Sequence, residues 1–124
     1  MSWKEQAKSQ FAERRKPETL IAIRVPQWDC PKEGPCVIYY WPDMTLAERR
    51  EIFAYVKQKG EEITYDMEAM AIMLLVRARK KDGSRFFNKV ERLELMNEYN
   101  PDDLTEIVSA MGTLVPSIED AEKN

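Results

Sequence analysis

Between residues 65 and 80 the chain reads Tyr-Asp-Met-Glu-Ala-Met-Ala-Ile-Met-Leu-Leu-Val-Arg-Ala-Arg-Lys. Wound as a helix, this stretch puts Met67, Met70, Ala71, Leu74, Leu75 and Ala78 on one side. Ile72, Met73 and Val76 carry apolar surface around almost the whole circumference. A helix that is apolar all round must be buried. Its apolar run, from Met70 to Val76, is far short of the roughly 20 residues that cross a bilayer, so it is a core helix and the other elements have to cover it. With 124 residues the chain suits a single domain with a modest core. So small a chain is expected to need a second copy to cover such a helix, which predicts a homo-oligomer.

The other elements follow from periodicity and punctuation. Residues 1–16 place Trp3, Ala7 and Phe11 on one helical face of an otherwise polar arm, and Lys16-Pro17 ends it. Residues 19–25 and 36–41 alternate as strands, with Ile21, Ile23 and Val25 on one face of the first, and Val37, Tyr39 and Trp41 opposed to Ile38 and Tyr40 in the second. Pro26, Pro31, Gly34 and Pro35 make the connection between them a loop, so the pair is an antiparallel hairpin. Thr45 and Glu48 form a capping box opening a helix that runs to about Lys59 and stops at Gly60, with Ile52, Phe53 and Val56 inward. Lys81-Asp82-Gly83-Ser84 is a turn. Asn88 caps a third helix, with Val90, Leu93 and Met96 facing in. Asn100-Pro101 opens a fourth, with Leu104, Ile107, Val108 and Met111 inward, stopped by Gly112 and Pro116. The expected fold is α+β and helix predominant: an N-terminal β-hairpin packed on a bundle of about four α-helices. Residues 1–16 form an arm, 17–116 the domain and 117–124 a polar tail.

The chemistry is defined mostly by what is missing. There is no histidine, so the commonest general acid/base, the commonest metal ligand and any Ser-His or Cys-His pair are excluded within the chain. No catalytic residue, cofactor or metal site is expected. Cys30 and Cys36 flank Pro-Lys-Glu-Gly-Pro. They cannot complete a four-ligand zinc site alone, and a reducing cytoplasm favours free thiols over a hairpin disulfide or a metal shared between subunits. The start of the chain lacks the apolar core of a signal peptide, which predicts a cytoplasmic protein. The net charge of −3 is uneven. Lys4, Lys8, Arg14, Arg15 and Lys16 against Glu5 and Glu13 give residues 1–16 a net +3, and Asp102, Asp103, Glu106, Glu119, Asp120 and Glu122 against Lys123 give residues 101–124 a net −5. The two ends either stay solvated or pair head to tail between copies.

Three groups of residues are candidate contact points. Arg77, Arg79, Lys80, Lys81 and Arg85, with Phe86 and Phe87 beside them, have the makings of a nucleic-acid patch. Cations at a helix C-terminus also complement its dipole, and the acidity of the chain argues against nucleic acid. Met67, Met70 and Met73 on the central helix suit a surface that re-packs on partners, with an ordinary core as the alternative. Trp28 either closes the mouth of the hairpin or anchors a partner, and Trp3, Phe11 and Trp41 are the other large aromatics available for contacts.

Some motifs, in their order, resemble a known family. Val25-Pro26-Gln27-Trp28, the strand through Trp41, Thr45-Leu46-Ala47-Glu48-Arg49, Asp82-Gly83 before Phe86, and the closing Ala121-Glu122-Lys123-Asn124 are similar to the pattern of tail assembly chaperones of long-tailed bacteriophages. The family commonly has Glu-Trp-Gly where this chain has Gln27-Trp28-Asp29, and a shorter hairpin loop than the one containing residues 30–35. The resemblance implies a non-enzymatic protein of the host bacterial cytoplasm, absent from the mature virion. Such a protein coats the long helical tape measure protein and keeps it soluble until the tail tube assembles. It also implies a link to the tail tube protein through a longer, frameshifted form. The alternatives are a structural head–tail or tail component of the virion and a small nucleic-acid-binding regulator using residues 77–85.

Overall fold

A computed structural model of the chain describes residues 2–54, 56–59, 62–65 and 67–112. The architecture is α+β and helix predominant, with an N-terminal antiparallel hairpin. Helix α1 (Trp3–Arg14) starts at Ser2, whose hydroxyl accepts the Glu5 N–H, and it buries no residue. The Thr19 hydroxyl donates to the carbonyls of Arg14 and Lys16 at 2.7 and 2.8 Å, closing the turn that follows. Strands β1 (Ile21–Arg24) and β2 (Val37–Tyr40) pair antiparallel, with Ile23 opposite Ile38 and Ile21 opposite Tyr40. The hairpin loop is clasped by its own charges: Arg24 grips Asp29 with two hydrogen bonds, and the Asp29 carboxylate also accepts the Cys36 N–H at 2.7 Å. Those bonds hold the Asp29 carboxyl at about 2, well below the usual carboxylate range.

Helix α3 (Met67–Arg77) is central, as its composition requires. Every residue from 71 to 78 is buried, and the covering comes from the chain itself: Val25 and Ile38 of the hairpin segment, Ile52, Phe87, Leu95, Leu104, Ile107 and Met111 complete the same core. The expectation that a second copy is needed to cover this helix is therefore not met. Beyond α3 the backbone straightens. Arg79 exchanges both backbone hydrogen bonds with Tyr39, at 2.9 and 2.7 Å, and then bridges back to Arg85, so the hairpin gains a third extended segment. Gly83 makes the reversal at φ +91°, a conformation that glycine adopts without steric cost.

Three expectations about the helices need correction. Helix α2 (Leu46–Phe53) carries the expected Thr45–Glu48 capping box but ends six residues before Lys59. The chain then forms strands β3 (Val56–Lys59) and β4 (Glu62–Tyr65), paired antiparallel with Lys59 opposite Glu62. Val56, Ile63 and Thr64 are β-branched, and a glycine that stops a helix serves equally well in a two-residue hairpin connection. Gly60 itself lies outside the described residues. Phe53, expected inward, is largely exposed, and Val56 belongs to a strand and not to the helical stripe. The third correction concerns α4 (Arg92–Asn97). Asn88 and Glu91 do form a capping box, but they open a 3₁₀ turn at Lys89–Glu91 before the α-helix starts. A 3₁₀ turn has three residues per turn instead of 3.6, so the face rotates: Leu95 is buried, while Val90, Leu93 and Met96 are 83%, 65% and 43% exposed. Helix α5 (Pro101–Ala110) follows its pattern, with Asn100 accepting the Asp102 N–H and Leu104, Ile107 and Met111 buried. Pro116 and the tail at 117–124 lie outside the described residues.

Candidate functional site

Helix α2 has two working faces. Its inward face, Glu48 and Ile52 at i and i+4, packs on the hairpin and α3. Glu48 is 9% exposed and is met from three directions. It completes the cap by accepting the Thr45 N–H at 2.8 Å. Arg15, one residue beyond α1, binds both carboxylate oxygens at 2.7 and 3.2 Å, and Arg79 reaches Oε2 at 2.9 Å. Burial by itself pushes a carboxyl up, but the Arg15 hydrogen bonds, the Thr45 amide and the two guanidinium charges outweigh it and hold Glu48 at about 2. Both guanidinium groups also lie over the Trp41 ring, at 4.4 and 5.3 Å from its centroid. The Trp41 indole donates to the Lys16 carbonyl at 3.0 Å. This cluster is saturated internally and fastens the base of the arm to the domain.

The outward face of α2 borders a groove of about 800 Å³. Its floor is the Ile72, Leu75 and Val76 strip of α3, and its α2 wall is Leu46, Ala47 and Ala54. Leu46 is 85% exposed, because the face that sends Glu48 and Ile52 inward turns residue 46 out. Across the groove lie the 3₁₀ turn and α4, which contribute Lys89 and Arg92. The rim is cationic: Arg50 on α2, Arg85 after the Gly83 reversal, and Lys89 and Arg92 on the far side. Glu51 stands 3.8 Å from Arg85 and 3.9 Å from Lys89, and Glu68 lies 3.0 Å from Arg92. Among the described residues, Arg50, Arg85 and Lys89 against Glu51 leave this edge of the groove positive, on a chain whose net charge is −3.

The residues singled out from sequence do not converge on one site. Trp3 is 95% exposed near the start of α1, and Phe11 is half-buried with the Arg15 guanidinium 5.6 Å from its ring. Trp28 is half-buried and ties the hairpin loop to the start of α5: its indole donates to Asp103 at 3.2 Å, and its ring meets Tyr99 edge-on at 5.5 Å. Trp41 and Met73 are buried and are not contact surfaces, whereas Met70 is half-buried and its sulfur accepts the Thr105 hydroxyl at 3.7 Å. The Met67 side chain lies outside the described residues. The basic run is likewise not a surface patch. Arg77 is buried and donates to the carbonyls of Trp41 and Met111, each at 3.2 Å, and Arg79 is committed to Glu48. Of that run, Arg85 alone lines the groove. Phe87 is buried in the core with Phe86 packed against it, ring to ring at 4.9 Å.

Among the described residues both cysteines are free, and no group of acidic or sulfur ligands is placed to hold a metal ion. Burial and the Asp29 carboxylate push the Cys36 thiol up, the opposite of what an activated nucleophile needs. Among the described residues, no helix is long and apolar enough to cross a membrane. Comparison of the chain with protein-family models, with curated proteins and with solved structures returns no significant match.

Sequence reasoning missed two things. Glu48 was legible as a cap, but its partners Arg15 and Arg79 lie 33 and 31 residues away and carry no signal of their pairing. The open apolar wall did carry a signal: once Glu48 and Ile52 are taken as the inward pair of α2, Leu46, Ala47, Arg50 and Ala54 must face elsewhere.

Proposed function

We propose that this protein is a tail assembly chaperone of a long-tailed bacteriophage. It covers apolar stripes of the tape measure protein, keeping that protein soluble while the tail is assembled. In this reading it acts without catalysis in the host bacterial cytoplasm and is absent from the finished particle. Homo-oligomers along the tape measure protein raise the effective concentration of each weak contact, and a longer frameshifted form recruits the tube protein. The observation that carries the reading is the apolar groove between α2 and α4, lined by Leu46, Ala47, Ala54, Ile72, Leu75 and Val76, with Leu46 open to solvent. A surface of this kind is a place for another apolar helix. The motif order around Val25-Pro26-Gln27-Trp28 and Thr45-Leu46-Ala47-Glu48-Arg49 supplies the phage context.

The test is co-expression with the cognate tape measure protein. The expected result is a soluble complex that is lost when Leu46→Ser and Ala47→Trp are combined in the groove wall. An insoluble tape measure protein in the presence of abundant folded chain overturns the proposal. So does recovery of the chain as a stoichiometric component of purified particles, which is the result expected of a structural tail protein. The regulator reading is disfavoured by the burial of Arg77 and the commitment of Arg79 to Glu48.

A further inference from the structure

We infer that the ligand of the α2–α4 groove is an amphipathic helix of another protein whose apolar stripe is flanked on both sides by carboxylates. The inference deepens the chaperone reading by naming the chemistry of the bound segment, and rests on that reading only for where the segment comes from. The shape comes first. The groove is floored by a helix and walled by a helix on one side and a 3₁₀ turn running into α4 on the other. Apart from Arg85, which makes an isolated β-bridge, its lining residues are in helices, a 3₁₀ turn or the end of α2. The recognition mode that fits is a helix laid in a groove and not strand addition. An apolar stripe would cover the buried floor and the open Leu46 together.

The charge decides the rest. Arg50 stands on one wall and Lys89 and Arg92 on the other, so cations flank the floor from both sides. The two carboxylates nearby, Glu51 and Glu68, are already held by rim cations. A helix with basic flanks meets like charge on both walls, and a helix with acidic flanks meets opposite charge on both. The same argument excludes one occupant present in the molecule. The α1 arm of a second copy carries Trp3 and Phe11 on one face, but residues 1–16 have a net +3 and are repelled by this rim.

The experiment uses two labelled helical peptides of roughly 18 residues, five turns of helix. They share one leucine stripe and differ only in flanking positions, all glutamate or all lysine. Fluorescence anisotropy against the full chain should show the glutamate peptide binding at least about tenfold more tightly than the lysine peptide. That preference should shrink as salt is raised. The double variant R50E/K89E should reverse it while keeping the wild-type melting curve, since both side chains are exposed. Ala47→Trp, which fills the groove wall, should abolish binding of both peptides. Equal binding of the two peptides, or wild-type preference in R50E/K89E, overturns the inference. Failure of the glutamate peptide to bind also overturns it, and points to a groove already filled by the chain's own acidic segment after residue 112. Peptide binding without solubilisation of the tape measure protein leaves this inference standing and removes the chaperone reading. Solubilisation that is indifferent to R50E/K89E does the reverse.

Discussion

The two faces of helix α2 handle charge in opposite ways. On the inner face, Glu48 is wrapped by Arg15, Arg79 and the Thr45 amide, and both guanidinium groups stack on Trp41. On the outer face, about half a turn away, Arg50 borders an apolar groove in which Leu46 is left open to solvent. The inner cluster joins three segments distant in sequence, so its hydrogen bonds hold the tertiary structure together. The outer surface is tied to the rest of the described chain by the exposed pairs that Glu51 makes with Arg85 and Lys89. Positive charge in this molecule is therefore informative only by placement. The run at residues 77–85 looks like the binding surface in sequence, yet Arg77 and Arg79 point into the protein. The cations at the groove come from α2 (Arg50) and from the stretch that holds Arg85, Lys89 and Arg92.

If the inner face is structural, breaking it should produce the largest loss of stability in the molecule. Glu48→Gln leaves two guanidinium groups short of their counter-charge in a mostly buried site, and should cost on the order of 3 kcal/mol in urea unfolding. A double-mutant cycle with Arg15→Ala should then show strong coupling, because each change removes the other's partner. An additive result would mean that the arm is not fastened through this pair.

Gly83→Ala probes the same cluster from the aromatic side. A methyl group there would lie 2.9 Å from Cη2 of Trp41, and φ is +91°. Backbone strain and the contact together should cost about 2 kcal/mol. Repeating the substitution in a Trp41→Phe background should recover the part due to the contact and leave the strain.

The acid limb of stability sharpens the comparison further. Glu48 has an ordinary value of 4.5 and sits at about 2 in the folded chain. Its folded pKa is depressed, so its contribution is fully present above about 4.5 and is lost as pH falls towards 2. Asp29, on the exposed hairpin loop, is also lowered to about 2 and titrates in the same window. Stability measured between pH 5 and pH 2 should fall steeply in the wild type and less steeply in Glu48→Gln. Identical slopes would show that the Glu48 site is not what acid attacks.

The smallest effect on stability is expected on the outer face. Leu46→Ser and Val90→Ser should each shift unfolding by no more than about 0.5 kcal/mol, because both side chains are already exposed. Light scattering over a dilution series should at the same time show weaker self-association if copies meet through this surface. A large stability loss at either position would mean that the surface is part of the fold and not a docking face.

Much of the architecture was legible because it is local. Capping chemistry acts within four residues, so Thr45–Glu48, Asn88–Glu91 and Asn100-Pro101 each mark a real helical start. The strands at 21–24 and 37–40 follow from alternation between prolines, and the apolar stretch after residue 66 is central because nothing else in the chain is so apolar. Where local signals conflicted, the reading failed. Gly60 suits a helix stop and a hairpin equally, and the β3–β4 pairing decided between them. The face of α4 turned with a 3₁₀ pitch that spacing alone does not reveal.

The sequence by itself determined the α+β class, the central helix and the lack of any histidine-based chemistry, since these depend on composition and on periods of two to four residues. Tertiary structure alone decided which charges are structural and which border a groove. Arg15, Arg79 and Arg50 are chemically identical, and each has another basic residue beside it in sequence. Only folding brings two of them onto Glu48, 33 and 31 residues away, and leaves the third on the groove wall. Electrostatic interaction falls with distance in space, and distance along the chain does not fix it.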